Sequence, residues 1–301
     1  YCIATLDSVN LTTELTITNC EFKNWLNWAI SHQYEKNVSV KSIVIDNCLF
    51  HDGKNSAVYF SEKAPEGKHA CQDLKITNST FYNIGDANAY STVHSLSNTS
   101  GTDTQEVTVD HCTFYNCQAK STDHAAVRVT CAAIISNTII VAPAPQGTYR
   151  AIHATDGSNA QAINCLTYNY TKDDGGIRSG ASKTNCLNVD PLFVDAANGD
   201  FNLQPGSPAI GAATDGTNLG DPRWGVEEPS TVELGNGNNS AAITANAGQT
   251  VDIQINRSFT AIGEWYTICF PFSIPQDQQS KLGTIYTVGD LIAVANGEGV
   301  N

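Results

Sequence analysis

Five short stretches of the chain share one shape: Ala57-Val58-Tyr59-Phe60, Thr92-Val93-His94-Ser95, Ala126-Val127-Arg128-Val129, Ala151-Ile152-His153-Ala154 and Gly176-Ile177-Arg178-Ser179. In each, an aliphatic residue precedes one that can do chemistry. Side chains alternate between the two faces of a strand, so Val58, Val93, Val127, Ile152 and Ile177 go to one side. Tyr59, His94, Arg128, His153 and Arg178 then go to the other. Arg carries a permanent charge on a fork of donors that fits an oxyanion. His takes or gives a proton near neutral pH, and Tyr offers an aromatic face with a polar tip. The flanking Thr92, Ala126, Ala151 and Gly176 are small, which leaves room for a groove floor. Ala29-Ile30-Ser31 is an earlier, weaker copy.

These side chains form a column only if their strands stack in register, so a repeating coil has to position them. The chain has such a repeat: a strand, an Asn, a Cys or small residue, then an apolar or aromatic residue. It reads Ile17-Thr18-Asn19-Cys20-Glu21-Phe22, Ile45-Asp46-Asn47-Cys48-Leu49-Phe50, Ile76-Thr77-Asn78-Ser79-Thr80-Phe81 and Val109-Asp110-His111-Cys112-Thr113-Phe114. Weaker copies fall at Asn137, Asn164 and Asn185, and the steps between Asn-equivalent positions are 28, 31, 33, 26, 27 and 21 residues. Such steps suit one solenoid coil with loops of varying length. Asn tolerates the left-handed backbone region, so it fits a sharp bend between two strands. At the ~4.8 Å spacing of stacked coils, Asn side chains are expected to bond one to the next, and Phe22, Phe50, Phe81 and Phe114 to stack inside. Cys20, Cys48, Cys112 and Cys165 are expected to face inward and unpaired, as small hydrophobes. The competing fold is a β-sandwich with coincidental Asn-Cys pairs, which has no reason to repeat them in register.

This rung pattern resembles the right-handed parallel β-helix family that includes pectate lyases and related polysaccharide lyases, over roughly residues 1–225. The resemblance implies that the strand before each bend lies in the second sheet and the strand after it in the third. The remaining strand, which carries the column, lies in the first sheet, the usual floor of a substrate cleft. It also implies a lyase chemistry: Arg128 or Arg178 neutralises a uronate carboxylate, and His153 removes the acidified proton. Coils ~4.8 Å apart roughly match one sugar unit, so successive side chains meet successive sugars of a polysaccharide partner. Tyr59, Tyr90 and Tyr149 are candidates for stacking on sugar rings, and His94 for a polar contact. Loops 85–91, 118–124 and 143–149 would wall one side. Three readings stay open: a polysaccharide lyase, a non-catalytic glycan-binding surface protein, and an adhesin or structural protein whose first sheet is an ordinary solvated face.

Residues 190–225 run Asp190-Pro191-Leu192-Phe193-Val194-Asp195, Gly199-Asp200-Phe201, Pro205-Gly206-Ser207-Pro208-Ala209-Ile210-Gly211 and Leu219-Gly220-Asp221-Pro222-Arg223-Trp224-Gly225. This stretch resembles the closing segment of exported β-helix proteins of the Bacteroidetes. An open solenoid end exposes core and backbone, so the segment is expected to cap it. The domains expected are a β-helix with its cap over 1–226 and a small or truncated β-sandwich-like domain over 231–301. The latter is read from Ala242-Ile243-Thr244, Thr250 to Ile255, and Trp265 to Phe272.

Composition excludes several classes. The net charge of −14 repels phosphate, so no nucleic-acid partner is expected. No run of ~18 apolar residues predicts a membrane span. P-loop, dinucleotide and nucleophile-elbow motifs do not occur. No cofactor is expected, with Asp173-Asp174-Gly175 as the one loop that could help hold Ca²⁺, though without EF-hand spacing. The expectation is a monomeric, extracellular or cell-surface protein. A chain without any Met, starting at Tyr1-Cys2, reads as processed or trimmed.

Overall fold

The computed structural model describes residues 2–5, 10–32, 38–98, 101–102, 104–226, 230–235, 238–247 and 251–256. The chain divides into two units, Tyr1–Ser230 and Thr231–Asn301.

The first unit is a right-handed parallel β-helix. Among the described residues its coils form three parallel sheets of six, seven and seven strands. The first sheet stacks Ile3–Thr5, Ile30–His32, Val58–Phe60, Val93–Ser95, Ala125–Val129 and Arg150–Ala154. The second runs from Asn10–Thr18 to Ala181–Thr184, and the third from Glu21–Lys23 to Leu187–Asn188.

The bends are where the sequence puts them. Asn19, Asn47, Asn78, His111, Asn137, Asn164 and Asn185 all have φ between 47 and 56°. Asn and His bear that conformation at less cost than other residues with a Cβ. A second column of left-handed bends, Asn24, Asp52, Asn83 and Asn116, lies just after or near the end of the third-sheet strands. Its signal is a Phe-x-Asn/Asp repeat that sequence reasoning passed over: Phe22-Lys23-Asn24, Phe50-His51-Asp52, Phe81-Tyr82-Asn83 and Phe114-Tyr115-Asn116.

Inside the coils, Phe22, Phe50, Phe81 and Phe114 stack with ring centroids 4.7, 4.7 and 4.6 Å apart and nearly parallel planes. Each such pair contributes about 0.5–1.5 kcal/mol beyond its buried area. Cys48, Cys112 and Cys165 are buried and free, as expected. Cys20 is free but exposed, because its rung lies at the outer end of the described stack.

Two expectations need correction. The Asn ladder is interrupted: Asn47 Nδ2 donates to Asn19 Oδ1 at 2.6 Å, but Asn78 and Asn137 donate to Asp46 and Asp110, one residue before the preceding bend. An ionised carboxylate is the stronger acceptor and takes the amide. The segment after residue 190 is also no simple end cap. It runs back along the third sheet, crossing one coil after another. Asn164 Nδ2 donates to Ala212 O, Thr214 N to Asn137 Oδ1, Gly220 N to Asn137 O, Asp221 N to Thr113 Oγ1 and Arg223 Nη2 to Asn47 Oδ1. Leu203, Ala209, Ala213 and Leu219 cover Ile139, Val141 and Leu166, while Phe201 is fully buried beside Tyr82, Tyr115, Phe193 and Trp224. The apolar outer face of this sheet is a larger demand for cover than one open end.

From the last residue of the first unit onward, Ser230–Gly235 and Val251–Asn256 form a two-stranded sheet. Ser240–Ala245 is helical, against the strand expected at Ala242-Ile243-Thr244, because three alanines outweigh so short an apolar run. The run Trp265 to Phe272 lies outside the described residues.

Candidate functional site

The first sheet brings the column together. Tyr59 pairs with His94, His94 with Arg128 and Arg128 with His153 as in-register Cα partners. Ile177 bridges to Ile152, and Arg178 N donates to Ile152 O, so Arg178 continues the column one coil on. The alternate residues Val58, Val93, Val127, Ile152 and Ile177 are buried inward.

The column is not an open groove. Tyr59, His94 and His153 are 3, 1 and 2% exposed, and the flanking Thr92, Ala126 and Ala151 are covered as well. Residues outside the strands supply part of the cover. Trp28 stacks on Tyr59 at 4.5 Å, and His94 stacks on its other side at 4.7 Å. Tyr59 therefore has no free face for a sugar. Tyr90 stands edge-on to Tyr59 and His94, with Lys120 Nζ 3.6 Å above its ring. His124 lies 6.0 Å from His94 and 5.4 Å from Tyr90. Tyr149 has gone elsewhere: it packs on the core, edge-on to Tyr170, and burial pushes its phenol up to about 12. Lys120 and His124 lie in the 118–124 loop that was expected to wall one side, but neither was singled out, and Trp28 was missed, since loop residues carry no strand period. The rim is made by the partly exposed Trp28, Tyr90, Arg128 and Arg178 and the exposed Lys120.

Three arginines lie in or beside this face, and they differ. Arg150 donates to Asp173 and to Thr122 O. Arg178 donates from Nη1 to His153 Nε2 at 2.6 Å and from Nη2 to Asp156 at 3.4 Å. Arg128 has no hydrogen bond or ion pair to any described residue, and its Nε is buried without a partner. Desolvation lowers its pKa, while the exposed Asp123 and Glu62 oppose that only from a distance.

The imidazoles are held neutral. Burial, then the charge of Arg128, keeps His94 well below the usual histidine range. His124 and His153 come down to about 4 for the same two reasons, with Lys120 adding to the first and Arg178 and Arg150 to the second. The buried His94 Nδ1, His124 Nε2 and His153 Nδ1 have no partner among the described residues. Arg has donors only, so His153 Nε2 accepts from Arg178 and the proton of the neutral ring sits on Nδ1.

The loop considered for Ca²⁺ is already paired, Asp173 to Arg150 and Asp174 to Lys183. Among the described residues no cluster of His, Cys, Asp and Glu has the makings of a metal site. None of their helices is long and apolar enough to cross a membrane.

The half of the column carrying Arg128, His153 and Arg178 falls within a family match. The matching family model is DUF5123, a domain of unknown function, over residues 107–224. The same span takes in the segment laid along the third sheet and leaves out Tyr59 and His94. No curated protein matches the chain.

Proposed function

We propose that the first-sheet face binds an acidic polysaccharide, with Arg128 as the centre of recognition. One observation carries the reading: Arg128 is a half-buried guanidinium without a partner among the described residues, in a chain of net charge −14. A desolvated cation left unpaired is costly, and a uronate carboxylate offers the two oxygens that its fork can hold. Lys120 and Arg178 on the same rim add positive charge, and Trp28 and Tyr90 add ring edges. The resemblance to pectate lyases and to exported Bacteroidetes β-helix proteins supports a glycan at a cell surface as the ligand class.

Binding is favoured over cleavage. A base needs a free lone pair, and the Nε2 lone pair of His153 is engaged by Arg178 while Nδ1 carries the proton. The test is a panel of polygalacturonate, alginate, glycosaminoglycans and neutral polymers, read for binding and for absorbance of an unsaturated product. The expected result is salt-sensitive binding of an acidic polymer without cleavage. Equal binding of neutral polymers, or none of any, would contradict the reading, and accumulation of unsaturated product would restore the lyase.

A further inference from the structure

We infer that this site takes up its anion together with a proton, and that His153 is the positioning residue that receives it. The inference rests on the acidic-glycan reading of the column and adds a regulation to it.

The geometry makes His153 a latch between two cations. It is the in-register neighbour of Arg128 on one side, and on the other Arg178 donates to its Nε2 at 2.6 Å. That hydrogen bond exists only while Nε2 is unprotonated. The ring's remaining N–H, on Nδ1, is buried and has no acceptor. Arg128, Arg178 and Arg150 act on the ring against proton uptake and Asp123 acts for it, while Asp156 sits on the far side of Arg178. His94 and His124 lie farther along the same face, near Lys120, and both histidines respond to Arg128 as well.

An anion on Arg128 cancels much of the positive field that keeps His153 neutral. The imidazolium then becomes favourable, with a donor on each nitrogen. Nε2 can no longer accept, so Arg178 is released to Asp156, which it already reaches at 3.4 Å, or to the ligand. Charge is conserved in this step: one carboxylate enters, one proton enters, and no covalent bond changes. Binding therefore becomes tighter as the solution becomes more acidic, since the free protein holds the proton poorly and the complex holds it well.

The experiment uses the full chain and a galacturonate hexamer. Affinity is measured between about pH 7.5 and about pH 5, and proton uptake is taken from titration calorimetry in buffers of different ionisation enthalpy. Galacturonate stays ionised over this range, so it contributes little slope of its own. The expected result is roughly tenfold tighter binding at the acid end, with uptake approaching one proton, which for a ring that titrates at about 4 in the free protein corresponds to a pKa raised by about two on binding. The variant His153→Gln keeps an acceptor for Arg178 and cannot titrate. It should bind the hexamer near neutral pH with most of the slope and the uptake gone. Uptake that persists in His153→Gln overturns the assignment in favour of His94 or His124. Hexamer binding without slope or uptake in the unaltered chain overturns the coupling and leaves the glycan reading standing. No binding at either pH overturns both. A measurement without ligand stands apart from these: nitrogen chemical shifts of the free protein should place the His153 proton on Nδ1, and a proton on Nε2 would refute the latch outright.

Discussion

The same coils present two very different outer faces. Outside the third sheet, polar atoms that the strands turn outward find partners in the segment that doubles back over them. Thr80 Oγ1 donates to Asp221 and accepts from Trp224 Nε1, and Thr113 Oγ1 accepts from Asp221 N. Outside the first sheet, His94 Nδ1, Arg128 Nε and His153 Nδ1 are just as buried and have no partner. A buried polar atom without a partner costs about 1–3 kcal/mol, so the first face bears a cost that the second avoids. Where one solenoid satisfies one face and not the other, the unsatisfied face is the place to look for a ligand.

If the third-sheet face is structural, damaging it should cost stability and spare binding. Phe201 is fully buried where the returning segment meets Tyr82, Tyr115 and Trp224. Phe201→Ala should lower stability by about 3–5 kcal/mol, read by chemical unfolding, with the first-sheet residues undisturbed. A loss below ~1 kcal/mol would mean that the segment is only loosely applied.

A smaller effect is expected at the bend that leads from the second sheet into the third. Asn47 has φ 50°, donates to Asn19 and accepts from Arg223 of the returning segment. Its side chain is exposed, so Asn47→Ala should cost about 1 kcal/mol, with part of the loss recovered by Asn47→Gly, which suits the left-handed conformation. Equal stability of the Ala and Gly variants would remove the backbone from the explanation.

What was legible in the sequence follows from what is periodic in it. The first-sheet column could be aligned residue by residue because the coil repeats and strands alternate with period two. The bend positions could be read because few residues other than Gly and Asn tolerate positive φ. The path of residues 200–224 could not, since a segment crossing coils obeys no repeat, and its contacts join residues as far apart as Arg223 and Asn47. The loops 85–91 and 118–124 could be placed beside the column, but not their closing over it. Trp28, Lys120 and His124 come from loops of unequal length, and the way they close on Tyr59, Tyr90 and His94 turns an expected open floor into a nearly closed one. Alternation correctly gave the side of the sheet that each side chain takes, but it could not say whether solvent reaches that side.

The central claim is that Arg128 is left unpaired in order to meet an anion, and one substitution tests it. Arg128→Ala removes a desolvated cation that no described residue compensates, so the unfolding midpoint should stay level or rise. In the same preparation, affinity for an acidic polymer bound by the unaltered chain should fall by at least about tenfold, as expected when a charge-assisted contact is lost. Full retention of that affinity by the folded variant would contradict the account.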